Sequence, residues 1–252
     1  MDLYLSGKTA IVTGASTQGC GQAIARALAR EGVAVAITAR RADALKKLAA
    51  EIKAEGCIEP VVLPADLYDP ETPERLAADA RRLLGRVDIV AYAAGGRRSI
   101  PLDAPRSSWD EGMTINFFRL RELAHALLPG MIENKWGRII SLTGTSEPLT
   151  LNVANPAKAA VQAWSKGLSR DVGKHGITLN CIVPGRILSE QILRREPDEA
   201  TRRAFAQREI AVGRYGDPAE LADLVTYLAS PRANYITGTV IAVDGGLKRY
   251  AH

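Results

Sequence analysis

The 252-residue sequence predicts an α/β fold on a mostly parallel sheet, and three observations carry that expectation. Short apolar runs alternate with longer amphipathic segments along the chain. The apolar runs are continuous, which is how strands read when helices cover both faces of a sheet. Small or polar clusters follow the runs, at the strand ends where such sheets bind ligands. Strands separated by helices imply βαβ units with right-handed crossovers. No linker, charge block or repeat interrupts the pattern. Residues 1–252 therefore read as a single Rossmann-type, doubly wound domain with about seven strands.

The first strand covers residues 10–13. It runs into Gly14-Ala15-Ser16-Thr17-Gln18-Gly19-Cys20-Gly21 and then a helix that ends at Arg30, before Gly32. Glycine lets the chain turn sharply and approach a ligand closely. The helix start turns unpaired N–H groups and its positive dipole end toward that turn, which makes a seat for a diphosphate. Residues 33–38 form the second strand, and 42–55 a helix with Leu45, Leu48, Ala49 and Ile52 on one face. A third strand covers 61–63 and a third helix 74–84. A fourth strand, 87–91, ends in Tyr92-Ala93-Ala94-Gly95-Gly96. A long helical region, 108–134, is expected to break near Pro129-Gly130. Residues 138–142 are the fifth strand, 156–174 a helix, and 178–183 the sixth strand, closed by Pro184-Gly185. A polar helical insert spans 189–212, a last helix 218–229 and a last strand 239–243.

Composition narrows the class. A hydrophobic content of 46% is ample for a core. The net charge of +5 comes from basic residues interleaved with acids, which argues against nucleic acid as a partner. No stretch reaches the length of a membrane span, and the N-terminus lacks a signal-like apolar run. Cys20, Cys57 and Cys181 are odd in number and scattered, as expected of a reducing compartment with no metal site. A cytoplasmic location follows as an expectation.

The ordered motifs make the chain resemble a short-chain dehydrogenase/reductase over nearly its whole length. Thr13-Gly14 through Gly19-Cys20-Gly21 resembles the family's cofactor turn, with one residue more than its pattern. Ala65-Asp66-Leu67 resembles the aspartate used against adenine, and Asp88-Ile89-Val90-Ala91-Tyr92-Ala93-Ala94-Gly95 the Asn-Asn-Ala-Gly strand end. Ile115-Asn116 matches the helix asparagine. Pro184-Gly185-Arg186-Ile187 matches the loop beside the nicotinamide, with Ser189 where a threonine is common. Tyr235-Ile236-Thr237-Gly238 and Val243-Asp244-Gly245-Gly246 match the C-terminal signature. The resemblance implies that Gly14, Ser16, Thr17, Gln18, Gly19 and Cys20 border the diphosphate. Asp66 and Leu67 would meet the adenine, and Ala93, Ala94, Gly95, Lys158, Pro184, Gly185, Ile187 and Ser189 the nicotinamide half. At the second strand's end an acid would hold a ribose 2′-hydroxyl and an arginine a 2′-phosphate. Ala39 followed by Arg40 and Arg41 favours NADP over NAD.

The catalytic set departs from the family. Its Tyr-x-x-x-Lys should end at Lys158, which puts Ala154 at the tyrosine position. The catalytic serine falls on Gly144 in the register of the strand, or on Ser141 by counting back from Lys158. Asn116 and Lys158 remain. Candidates to serve a substrate oxygen are Ser141, Thr143 and Tyr92, the last of which also reads as a packing aromatic. Thr145, Ser146, Glu147 and Asn155 lie on the same loop. The family implies reduction of a carbonyl or conjugated enoyl group, here with an atypical proton donor. A dehydratase or isomerase, or a silent cofactor-binding subunit, are the competing readings.

The 189–212 insert occupies the family's substrate-lid position. Its region holds Arg186, Arg194, Arg195, Arg202, Arg203 and Arg208, and Arg97-Arg98 adds a further doublet. A small-molecule substrate, anionic or thioester-linked, is expected. The long helices around 109–134 and 156–174 resemble those that join subunits in this family, which implies a homo-oligomer, tetramer or dimer.

Overall fold

A computed structural model describes residues 2–96, 99–145, 148 and 150–249. Seven parallel strands stand in the order β3-β2-β1-β4-β5-β6-β7. They are β1 (Thr9–Thr13), β2 (Ala34–Ala39), β3 (Val61–Pro64), β4 (Ile89–Tyr92), β5 (Gly137–Leu142), β6 (Ile177–Pro184) and β7 (Thr239–Val243). The chain winds outward from β1 to β3, then returns to place β4 on the other side of β1. The switch in strand order therefore lies between β1 and β4, where doubly wound sheets open a ligand crevice.

The helices are α1 (Cys20–Arg30), α2 (Ala42–Ala54), α3 (Thr72–Leu84), α4 (Arg106–Met113), α5 (Arg119–Glu133), α6 (Ala154–Val172), α7 (Glu190–Arg195), α8 (Glu199–Glu209) and α9 (Pro218–Ala229). Strand side chains alternate between two cores. Val12, Val35, Ile37, Ile89 and Ile182 pack with α1, α2 and α9. Ile11, Val90, Tyr92, Ile139 and Cys181 pack with α3, α5 and α6. Each fully buried Leu or Ile contributes roughly 1.5–3 kcal/mol. Both faces are thus dry, and the polar cleft is confined to the carboxyl edge.

Three element boundaries differ from the sequence reading. The expected break at Pro129 is absent, because α5 runs through that proline. The irregularity is instead a π-helical turn, Thr114–Phe118, which joins α4 to α5 and carries Asn116. Helix α6 begins earlier than expected because the Asn152 carboxamide oxygen accepts from Ala154 N and Asn155 N, both at 3.0 Å. The 189–212 insert splits into α7 and α8, the second capped by Asp198.

Candidate active site

The cleft begins where β1 meets α1. Thr13 Oγ1 accepts from Ala93 N at 3.1 Å and Ala94 N at 3.0 Å, which draws the end of β4 against the end of β1. Gly14 has φ +72°, and a Cβ there would stand 2.9 Å from the Ala93 carbonyl carbon. A Cβ on Gly21 would lie 2.4 Å from Gly14 O. Only glycine permits both crossings. Helix α1 then starts at Gly19 with no side-chain cap and no acid in its first turn. Uncapped N–H groups under a backbone without side chains fit a diphosphate. Thr17 and Gln18 are exposed in this turn and Ser16 is half-buried. The Cys20 thiol is pushed up to about 11 by burial, an effect that the nearby Lys158 charge opposes, so it stays protonated.

The next two strands carry the residues expected at the adenosine end. Arg40 and Arg41 are exposed after β2. Arg41 donates to Ser16 O and pairs with Glu190 at 3.0 Å. Glu190 N in turn donates to Gln18 O at 2.8 Å, so α7 leans on the glycine turn. Asp66 is exposed after β3, and one of its oxygens takes Tyr68 N at 3.0 Å. Leu67 is 7% exposed, and its side chain belongs to the core beneath the loop. Arg119, unnoticed in the sequence, pins this loop by donating to Leu67 O at 2.7 Å. No local pattern marks it, because its partner lies 52 residues away.

At the reacting end, Asn116 and Lys158 meet beside Gly95. A Cβ on Gly95 would stand 2.8 Å from Asn116 Oδ1 and 3.8 Å from Lys158 Cε. Asn116 Nδ2 donates to Gly112 O at 2.9 Å and Gly96 O at 3.1 Å, and its Oδ1 accepts from Gly96 N at 3.2 Å. The π-turn makes this possible by rotating Asn116 toward the strand ends. Lys158 Nζ donates to Thr143 O at 3.3 Å. A Cβ on Gly144 would stand 3.2 Å from Lys158 Cδ and 3.4 Å from Asn155 Oδ1. Gly144, Asn155 and Lys158 thus share one wall. Arg97, Arg98, Ser146 and Glu147 lie outside the described residues.

Three catalytic candidates are corrected. Tyr92 is 2% exposed, its hydroxyl donates to Ile115 O at 3.0 Å, and burial drives its pKa far above the ordinary phenol value. It is a packing aromatic, not a proton donor. Replacing Tyr92 with Phe is expected to cost about 1 kcal/mol, read as a lower denaturant midpoint, with dinucleotide affinity unchanged. Ser141 is 1% exposed and pairs in register with Tyr92 and Cys181, so its hydroxyl enters the core and not the cleft. Thr143 spends its hydroxyl on Ile182 O at 3.2 Å and on Gln162 Nε2 at 3.1 Å. Gln162, also missed in the sequence, further donates to Gly144 O at 3.0 Å and so fixes the loop after β5.

The opposite wall is the loop after β6. A Cβ on Gly185 would lie 2.5 Å from Asp244 Cα, so β7's exit packs directly on Pro184-Gly185. Ile187 is buried, and Ser189 caps α7 through Ile192 N at 3.3 Å. Ser189 Cβ would stand 3.0 Å from a Cβ on Gly19, which brings the two loops together over the crevice.

A family model described as enoyl-(acyl carrier protein) reductase matches residues 14–248. The 3-oxoacyl-(acyl-carrier-protein) reductase FabG of Pseudomonas aeruginosa is 36% identical over 249 residues, covering 97% of this chain and 99% of that protein. Among solved structures, L-sorbose reductase from Gluconobacter frateurii, complexed with NADPH and L-sorbose, superposes with a TM-score of 0.94 at 29% identity. It covers 99% of this chain and 100% of that one. A 7α-hydroxysteroid dehydrogenase complexed with NADH and 7-oxo glycochenodeoxycholic acid superposes at 0.91 with 29% identity, covering 100% and 98%. With its parallel sheet, glycine turn and Asn116–Lys158 pair already in hand, the chain belongs to the short-chain dehydrogenase/reductase family.

Proposed function

We propose that the protein is an NADP(H)-dependent oxidoreductase of small carbonyl or conjugated enoyl substrates that works without the family's tyrosine. The observation that carries this reading is the convergence of Lys158, Asn116 and Gly95 at the carboxyl edge, one crossing away from an uncapped glycine turn. The turn and the start of α1 would take the diphosphate, Asp66 the adenine amine, and Lys158 the ribose hydroxyls. Arg40 and Arg41 would take a 2′-phosphate, a role consistent with the NADPH complex of the sorbose reductase relative. When bound, the dinucleotide supplies hydride to the substrate carbon.

The chain's own contribution is position and charge. Asn116 locks Gly96 to the π-turn, and Thr143 O anchors the Lys158 ammonium. Ala154 carries only a methyl group, so it neither donates nor accepts a proton. Asn155, beside Gly144 and Lys158, is a side-chain amide placed to serve a substrate oxygen. Such a site polarises through hydrogen bonds and the Lys158 charge, with the proton drawn from water. The same feature favours a second reading, a subunit that binds dinucleotide without turning it over.

Titration with NADPH and NADH, followed by nicotinamide fluorescence, tests the first step. NADPH is expected to bind at least tenfold tighter than NADH, and Lys158→Ala to weaken NADPH by tenfold or more. Binding of neither nucleotide overturns the proposal. NADPH binding without turnover on ketone, enoyl-thioester and quinone panels selects the silent-subunit reading.

Assembly and location belong to the same proposal. Phe118 and Ile132 are exposed on the π-turn and α5, and His125 stacks on Trp164 across α5 and α6 at 6.0 Å. These faces suit a closed dimer or tetramer, which light scattering would read as a multiple of the chain mass. The three cysteines are free thiols, as a cytoplasmic protein would keep them. No helix among the described residues is long and apolar enough to cross a membrane.

A further inference from the structure

We propose that Arg186 and Arg195 form an anion subsite beside the reacting end of the cleft, and that the substrate is a small polar molecule bearing a carboxylate or phosphate. The inference rests on the reading that Lys158 and Gly144 mark the reacting centre.

A cleft of about 220 Å³ is lined by Ser99, Arg186, Gln191, Arg195 and Glu196. None of the five is apolar, whereas a steroid or a long acyl tail requires an apolar lining. The cleft borders the site on two sides. Arg186 directly follows the Pro184-Gly185 loop at the end of β6. Ser99 pairs through an isolated bridge with Asn152, whose carboxamide oxygen accepts from the first N–H groups of the helix that carries Lys158.

Among the described residues the charge count leaves a cation over. Glu196 Oε1 accepts Arg186 Nη1 at 2.8 Å, and Arg195 Nε and Nη2 at 3.2 and 3.0 Å. Its Oε2 takes the Tyr215 hydroxyl at 2.7 Å. One carboxylate with both oxygens engaged therefore balances one of two guanidinium groups. Arg202 adds a further cation on the Glu196 backbone carbonyl. Burial alone would raise the Glu196 pKa, but donation from Tyr215 and Arg195 and the charge of Arg186 bring it below the ordinary value. The Tyr215 phenol is pushed up to about 12 by burial and by Glu196. Glu196 is therefore ionised and Tyr215 protonated at neutral pH.

Arg186 is also held in place before any ligand arrives. Arg186 lies over the Phe205 ring at 4.8 Å, and Phe205 packs edge-on against Tyr215. Arg186 Nε and Nη2 and Arg195 Nη1 are left to donate, since no described protein group takes them. A planar fork set by a ring and an acid suits an oxyanion that accepts two parallel hydrogen bonds. Glu196 acts as the positioning residue of this fork.

Calorimetric titration of wild type, Arg186→Gln and Arg195→Gln with levulinate and methyl levulinate, and competition against levulinate by inorganic phosphate and by acetate, test the assignment. Levulinate is expected to bind wild type at least tenfold tighter than its uncharged ester. Each variant should cut that preference below threefold while the ester's affinity holds. Arg195 is 40% exposed, so its variant leaves the fold intact. Competition by phosphate stronger than by acetate assigns the subsite to a phosphorylated substrate, and the reverse to a carboxylic acid. Equal affinity for acid and ester, binding of neither, or a preference that survives both substitutions overturns the proposal. NADPH titration of the same three proteins separates the two claims. If NADPH fails to bind while the acid preference stands, the dinucleotide reading falls and the subsite remains.

Discussion

Placing a phenol at position 154 is expected to raise carbonyl reduction by roughly 10²–10⁴-fold, the usual contribution of a positioned general acid. Ala154 is the first residue of α6 and Lys158 stands one turn further on, so the two share a helix face. A tyrosine there would feel the Lys158 ammonium, which favours the phenolate and brings the hydroxyl's pKa down. Gly144→Ser adds a second hydroxyl on the same wall. Its Cβ would meet Lys158 Cδ at 3.2 Å, a contact that a flexible lysine stem relieves by moving a few tenths of an ångström. The measurement is kcat/KM for NADPH-dependent reduction of a ketone panel by wild type, Ala154→Tyr, Ala154→Phe and Ala154→Tyr/Gly144→Ser. Ala154 is 2% exposed, so Tyr and Phe share an overpacking cost of about 1–3 kcal/mol. The ratio of Tyr to Phe then isolates the hydroxyl. A ratio near one means that the reacting oxygen does not sit beside α6, and the placement of the active centre at Lys158 fails.

How far this site was legible depends on whether its residues are marked locally. Gly14, Asp66 and Pro184-Gly185 sit at or just after the ends of apolar runs, and a strand end followed by glycine is visible in a linear pattern. Lys158 and Asn116 were visible only through motif spacing. Tyr92 reads both as a site candidate and as a packing aromatic because β4 is covered on both faces: its burial pattern is uniform, so nothing in the sequence says which way a side chain points. Ser141 and Thr143 failed for the same reason, each being decided by partners on β6 or α6. The π-turn at Thr114–Phe118 has no composition signal; it packs against α6, a contact distant in sequence. Pro129 misled in the other direction. It is exposed, so solvent can serve the carbonyl one turn back and the helix continues. Asn152 was missed although a cap signal was present, an asparagine just before the helix start.

Gly21→Ala is expected to have the largest effect on binding of any single methyl addition in the molecule. The new Cβ would lie 2.4 Å from Gly14 O and 2.8 Å from Gly14 C, both backbone atoms that no side-chain rotation can move. Relief requires α1 to lift away from β1. Gly14 is itself fixed on its other side, since Ala93 stands 2.9 Å from where its own Cβ would be, and Thr13 Oγ1 holds Ala93 N and Ala94 N. The strain therefore runs through one chain of contacts: helix start, glycine turn, end of β4. Stability should fall by about 3 kcal/mol, the upper end of the overpacking range. Displacing the α1 N–H groups by about 1 Å should weaken NADPH by roughly 100-fold, since misplacement on that scale costs about that factor where geometry is held tightly. Gly56→Ala is the control. Its Cβ would meet nothing within 4 Å, but its φ of +82° imposes backbone strain alone, so stability should drop while NADPH affinity holds. Chemical denaturation and NADPH titration of the two variants separate the predictions. If Gly21→Ala keeps wild-type affinity, the start of α1 is not where the dinucleotide phosphates rest, and the cleft between β1 and β4 must hold its ligand by other groups.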